Sequence, residues 1–213
     1  MLTYTEQVHV LFGTAMAATG AIAWWSERHP ESPARRIWPV LSFLIGVFLF
    51  IPVDVGTGTY NHEGPWDTFL SVVPDSAAFW VQRWIRPLGQ LHVIQHKATG
   101  VFAMIVGVIE YGRASGRLTS ARWAWVMPAA LIAIGLALGV HGGTAKHLPS
   151  HVEQLHHWIL GVGLGGSGVV LVLAEQGRLK ARAWRSVWTV ALVILGLDLC
   201  FFYRVPGMGG GMP

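Results

Sequence analysis

The stretch Gln154-Leu-His156-His157-Trp-Ile-Leu-Gly161-Val-Gly163-Leu-Gly165-Gly166-Ser167-Gly168, continued by Val169-Val-Leu-Val-Leu-Ala174 before Glu175, decides the fold. It contains no acidic or basic side chain other than its two histidines and has about the 20 residues a helix needs to cross a hydrocarbon core. Its glycines superficially match a dinucleotide-binding fingerprint. No strand precedes them and they lie inside an apolar run, so that reading fails. Small residues on an apolar helix make a packing face, where neighbouring helices approach closely.

Five other segments have the same character, at 6–25, 38–54, 90–111, 124–142 and 187–205. The 213-residue chain is 53% hydrophobic and 12% charged, with a mean hydropathy of +0.48. That leaves too little polar surface for a soluble globule and predicts an integral membrane protein. The expected fold is all-α, a polytopic bundle of six transmembrane helices built as three hairpins. It forms one domain over 1–205, with a flexible Gly/Met tail at 206–213. The first segment carries Glu6 and His9 and has no basic leading region, so it reads as a retained span. The single cysteine, Cys200, excludes an intrachain disulfide and any Cys-based metal motif. Eleven tryptophans cluster near span ends as an aromatic belt. The net charge of +4 marks loops and forms no basic stripe, which excludes nucleic-acid binding.

Arginine and lysine set the orientation. Arg28, Arg35 and Arg36 follow span 1, and Arg113, Arg117 and Arg122 follow span 3. Arg178, Lys180, Arg182 and Arg185 follow span 5, whereas the other connections carry only Arg83, Arg86 and Lys146. The positive-inside rule then makes the three odd loops cytoplasmic and both termini periplasmic, in a multi-pass protein of a bacterial inner membrane. The long outer connection, 55–89, opens with turn-forming residues. Near 75–88 it places Ala77, Val81, Trp84 and Leu88 on one face, which predicts a helix lying at the outer interface.

This topology brings every histidine but His29 to the outer side. His9, His92, His96, His141, His156 and His157 stand at span ends, with His62, His147 and His151 in the connections. His92 and His96 are four apart and share a helix face. Imidazole is the commonest protein ligand for transition metals and haem iron, so His9, His92, His96, His141, His147, His151, His156 and His157 are the expected metal ligands. Met208 and Met212 in the tail are possible soft ligands for copper(I). Asp54 and Asp198 are the carboxylates placed to orient a ligand histidine or relay protons.

The odd spans also repeat a pattern. Each opens with His-x-x-x-Gly, at His9 and Gly13, His96 and Gly100, and His157 and Gly161. Each has a histidine eighteen residues before a glutamate, at His9 and Glu27, His92 and Glu110, and His157 and Glu175. Eighteen residues are five helical turns, about 27 Å, which suggests histidines at the outer rim and glutamates at the inner one. The even spans carry one outer polar group each, Asp54, His141 and Asp198. Three related hairpins around a shared axis would produce this pattern. The glutamates either serve proton movement or simply anchor the inner rim beside arginines.

With His157-x-x-x-Gly161, the following Gly163-Leu-Gly165-Gly166, the outer histidines and the Met-bearing tail in view, the chain resembles bacterial copper-resistance inner-membrane proteins of the CopD type over roughly 90–175. The resemblance implies copper handling at the inner membrane, with His92, His96, His156 and His157 as ligand positions. The leading expectation is therefore copper capture by a periplasmic-side histidine cluster for resistance, storage or transfer, in contact with lipid and with a periplasmic metallochaperone or a larger membrane complex. A b-type haem subunit for electron transfer is the alternative, with two of His9, His96, His141 and His157 as axial ligands and the His-x-x-x-Gly glycines admitting a porphyrin close to the backbone. A structural subunit of a membrane complex is the third. No nucleophile elbow, phosphate-binding loop or His-Glu-x-x-His signature is present, so the residues suggest no hydrolase or transferase.

Overall fold

In the computed structural model the described residues are 4–50, 91–144, 151–179 and 182–202. They form six long helices: α1 (Tyr4–Arg28), α2 (Ala34–Phe50), α3 (Leu91–Ala114), α4 (Val126–Thr144), α5 (His151–Glu175) and α6 (Val187–Phe201). A 3-10 turn, Ala121–Trp125, leads into α4, and one helical turn, Arg182–Arg185, precedes α6. No strand occurs among the described residues. The six helices lie on the six apolar segments of the sequence. The expected interfacial helix near 75–88, Asp54, His62, His147 and the tail with Met208 and Met212 lie outside the described residues.

Length and composition mark three helical stretches as able to cross a membrane: Val8–Arg28, Ala121–Val140 and Gln154–Glu175. The helix α6 is apolar but has only 15 residues. The surface distribution is inverted relative to a soluble protein. Leu44, Val108, Leu136, Val162, Ile194 and Phe201 are exposed, whereas Lys97, Glu110, His156, His157, Ser167 and Thr189 are buried. Apolar side chains are thus exposed on every helix.

Each helix packs against two neighbours, and the six close into a ring in the order α1, α2, α3, α4, α5, α6 and back to α1. The tightest neighbours are α1 with α6, α2 with α3, and α4 with α5. These are not the three hairpins joined by arginine-rich loops. They are the partners facing each other across the opposite end, and glycine is the reason. A Cβ on Gly13 would stand 2.5 Å from the Gly196 carbonyl oxygen, one on Gly100 2.7 Å from that of Gly46, and one on Gly161 2.9 Å from that of Gly135.

Seven residues further along each odd helix the contact recurs. Gly20 faces the Thr189 carbonyl, Gly107 that of Pro39, and Gly168 that of Pro128. The partner has moved back by seven each time, from 196 to 189, 46 to 39 and 135 to 128, as antiparallel helices require. Two turns of helix separate the layers. The same two-layer contact is therefore built three times, in the register of the His-x-x-x-Gly motif. Ser42 adds a hydrogen bond to the Ala103 carbonyl across the α2–α3 pair, 3.1 Å. Inside the ring, Met16, Val106, Ile134, Leu164 and Leu195 belong to one continuous apolar core.

The consequence is testable by thermal unfolding of purified protein. Gly196→Ala drives a methyl group into the Gly13 carbonyl and the Ala17 backbone nitrogen. It is expected to cost about 1–3 kcal/mol or more, the usual penalty of overpacking. Gly166→Ala meets nothing within 4 Å and should leave the transition unchanged.

Candidate metal centre

The repeat places His9, His96 and His157 at equivalent positions, each one helical turn before the glycine of the first close-contact layer. Two of these rings meet. His96 on α3 and His157 on α5 have ring centroids 6.3 Å apart and planes at 88°. His157 is buried, at 6% exposure, and His96 is partly buried. An ion about 2.0–2.1 Å from each ring nitrogen lies about 3 Å from each ring centre, so two imidazoles sharing it on opposite sides stand about 6 Å apart.

His156, the neighbour of His157, turns the other way, towards α6. Its Nδ1–H donates to Asp198 Oδ2 at 2.7 Å, and the imidazole is only 7% exposed. This bond spans the α5–α6 contact, one of the looser joints of the ring. A carboxylate within an apolar helix costs roughly 3 kcal/mol to insert when unpaired. The imidazole offsets that cost and is itself held in one tautomer and one orientation. Nearby on the α1–α6 pair, the Thr14 hydroxyl donates to the Val10 carbonyl at 2.8 Å and lies 3.4 Å from Cys200 Sγ. Lys97 is buried at 5% exposure beside His96 in the sequence. Its ammonium donates to the Phe50 carbonyl at 3.1 Å, closing the end of α2.

Of the eight expected metal ligands, His9, His96, His156 and His157 have described side chains. His92, His141 and His151 lie on helices, but their side chains are outside the described residues, as is all of His147. His9 is partly buried on α1. Among the described residues no three histidine, cysteine or acidic side chains converge on one position, so the described part of the expected layer contracts to the His96–His157 pair. His29 lies at the other end, its ring 4.0 Å from that of Trp25.

Two details of the repeat differ from the expectation. The even-helix polar groups do not share a level: Asp198 is two residues beyond Gly196, and His141 six beyond Gly135. The eighteen-residue histidine–glutamate spacing slips by one turn on α3. In the glycine register Glu27 and Glu175 are equivalent, each fourteen residues after Gly13 or Gly161, and their counterpart is Ala114, not Glu110. All four residues nevertheless line one cavity of about 380 Å³ at the arginine-rich end. Its other walls carry a signal present in the sequence but absent from the histidine-based reading: Arg35-x-x-Trp38 and Arg185-x-x-Trp188 stand at equivalent places at the start of two even helices, with Ala124 and Met127 at those places on the third.

No protein-family model matches this chain, and no curated protein or solved structure is found to match it. The residues therefore carry the functional argument alone.

The His156–Asp198 bond makes a quantitative prediction. Asp198→Ala leaves a buried imidazole N–H without its acceptor and should destabilise by about 1–3 kcal/mol in thermal or denaturant unfolding. Because the two side chains interact directly, the Asp198→Ala/His156→Phe double variant should be less destabilised than the sum of the single changes.

Proposed function

We propose that this protein is a multi-pass membrane protein of the bacterial inner membrane that binds copper at its outer end, between His96 and His157, for capture and transfer or storage. The single observation that carries the reading is the perpendicular pair of imidazoles 6.3 Å apart, contributed by two helices that are not neighbours in the ring. Two nitrogen donors on opposite sides of an ion suit copper(I), which accepts low coordination and takes imidazole readily. His92, one turn further out on α3, and Met208 and Met212 belong to the same proposed route as donors that receive or release the ion. His156, fixed by Asp198, holds α5 in the rotation that turns His157 towards His96.

The six-span topology with periplasmic termini belongs to the same proposal. It rests on the inverted surface and on three arginine-bearing connections gathered at one end of the bundle. The copper-resistance resemblance agrees with it in placing ligands at His96 and His157. The haem reading drew on glycines four residues after each histidine, which would let a porphyrin approach the backbone. Gly13, Gly100 and Gly161 are instead filled by partner-helix backbone, so copper is the better occupant.

Elemental analysis of protein reconstituted with copper(I) is expected to give about one ion per chain, lost in His96→Ala/His157→Ala and retained in His29→Ala. X-ray absorption should show two nitrogen neighbours at short distance. Protons compete for the ring nitrogens, so affinity should hold near neutral pH and fall below about pH 6. A Soret band in the purified protein, or copper unaffected by the double variant, would sink the assignment. For the topology, a Cys200→Ser background with Thr59→Cys should react with an impermeant thiol reagent in intact cells, and Ser115→Cys should not.

A further inference from the structure

The cavity at the arginine-rich end has a volume of about 380 Å³, within the span of small-molecule sites, about 300–1,000 Å³. Its rim carries Arg35, Glu175 and Arg185, all exposed and of mixed sign, so it favours neither an anion nor a cation. Beneath the rim the wall is of another kind. Trp38, Met127, Pro128, Leu171 and Trp188 are buried there, and Glu110, at 8% exposure, is buried with them.

The internal repeat shows that folding does not require a carboxylate at this place. Glu110 lies ten residues after Gly100 on α3. The same distance from Gly13 and Gly161 falls on Ala23 and Leu171, which are 1% and 6% exposed. Two copies of the repeat thus fill the place with an apolar side chain, and one carries a group that is costly to bury. Arg113 meets Glu110 Oε1 at 2.6 Å. The other oxygen, Oε2, accepts no hydrogen bond from another described residue, although the side chain is only 10% exposed.

Two further polar groups in the same wall lack partners. Trp38 on α2 and Trp188 on α6 are 8% and 6% exposed, and their ring centroids lie 5.1 Å apart. Neither indole N–H donates to another described residue. Buried donors are nearly always paired, and an indole nitrogen can only donate. The wall therefore offers an occupant two N–H donors and one carboxylate oxygen, set among aromatic, thioether and proline surfaces.

We infer that this cavity binds a hydroquinone headgroup, with one ring hydroxyl donating to Glu110 Oε2 and the oxygen across the ring accepting from Trp38 or Trp188. A hydroquinone carries its two hydroxyls on opposite edges, so donor and acceptor roles reach different helices at once. Its flat, neutral ring suits indole surfaces and the sulfur of Met127. An ionic ligand is less suited, because Arg113 already pairs with Glu110 and the rim is mixed in sign. The same chemistry occurs in a soluble hydroquinone and in the headgroup of an isoprenoid quinol, which reaches a membrane bundle through lipid.

The test uses the whole protein, delipidated in detergent and titrated calorimetrically under anaerobic conditions. The tail-less ubiquinol headgroup is expected to bind saturably, and its dimethyl ether, which has no ring hydroxyl, about 10-fold more weakly. Tighter binding of ubiquinol bearing one isoprene unit, with isoprenoid quinone in solvent extracts of protein that was not delipidated, names the membrane as the source. Equal binding of the two quinols names a soluble one. Glu110→Leu places the side chain of the Leu171 copy at this position and should abolish the preference for the hydroquinone over its ether. Trp38→Phe/Trp188→Phe keeps aromatic walls without the N–H groups and should weaken hydroquinone binding roughly 10-fold. His96→Ala/His157→Ala should leave binding unchanged, which separates this site from the copper proposal. No saturable binding of either quinol to the unaltered protein leaves the cavity to water and overturns the inference. Equal binding of the ether overturns it as well, a result that needs no variant to fold.

Discussion

The close contact of helix backbones at glycine holds this architecture together. In lipid, the surroundings are as apolar as the side chains, so burying leucine against leucine gives little reason for helices to associate. Backbone surfaces that approach closely gain dispersion contacts that lipid tails cannot match. Three helix pairs make that approach in the same way, with Gly13 on Gly196, Gly100 on Gly46 and Gly161 on Gly135. A second layer two turns deeper sets the register, and a one-residue slip would bring side chains into the space that glycine leaves open. Everything else is positioned from these layers.

The imidazole pair and the arginine-rich cavity lie at the two ends of that construction. Moving one turn from the glycine layer away from the arginine-rich end leads to the imidazoles of His96 and His157, on α3 and α5, each packed tightly against another helix. Moving the opposite way leads past the second layer to Trp38 and Trp188, and then to Arg35 and Arg185. The threefold repeat is incomplete at both ends. At the arginine-rich end the α4 copy carries Ala124 and Met127 where the others have arginine and tryptophan. The repeat keeps its packing glycines and varies its end residues. The core between the ends is apolar, with Met16, Val106 and Leu164 among its buried members. The two ends thus act as separate chemical environments.

Buried polar groups in this bundle are joined to partners that also fix geometry. His156 and Asp198 tie α5 to α6, Lys97 ties α3 to the end of α2, and Ser42 ties α2 to α3. Each bond is worth more here than at a water-exposed surface, because its groups have few alternative partners once dehydrated. They orient side chains that neighbour the histidine pair, so stability and site geometry rest on the same contacts.

The helical class was legible in the sequence because apolar runs of about 20 residues have few other physical outcomes. The glycines of 154–174 were correctly read as a packing face, since no strand precedes them. His-x-x-x-Gly proved the correct register of the repeat, whereas the eighteen-residue histidine–glutamate spacing mixed His92 into a set that belongs to His96. The two spacings differ by one turn, and residues four apart share a helix face, so periodicity alone does not separate them. Only the tertiary structure decided which helices pair. Each inner helix has two sequence neighbours, and close approach depends on which small residues face each other between adjacent helices. For the same reason it took the folded chain to join Arg35 with Arg185 and Trp38 with Trp188, residues some 150 positions apart whose common motif has no meaning until a ring of helices brings both copies to one cavity.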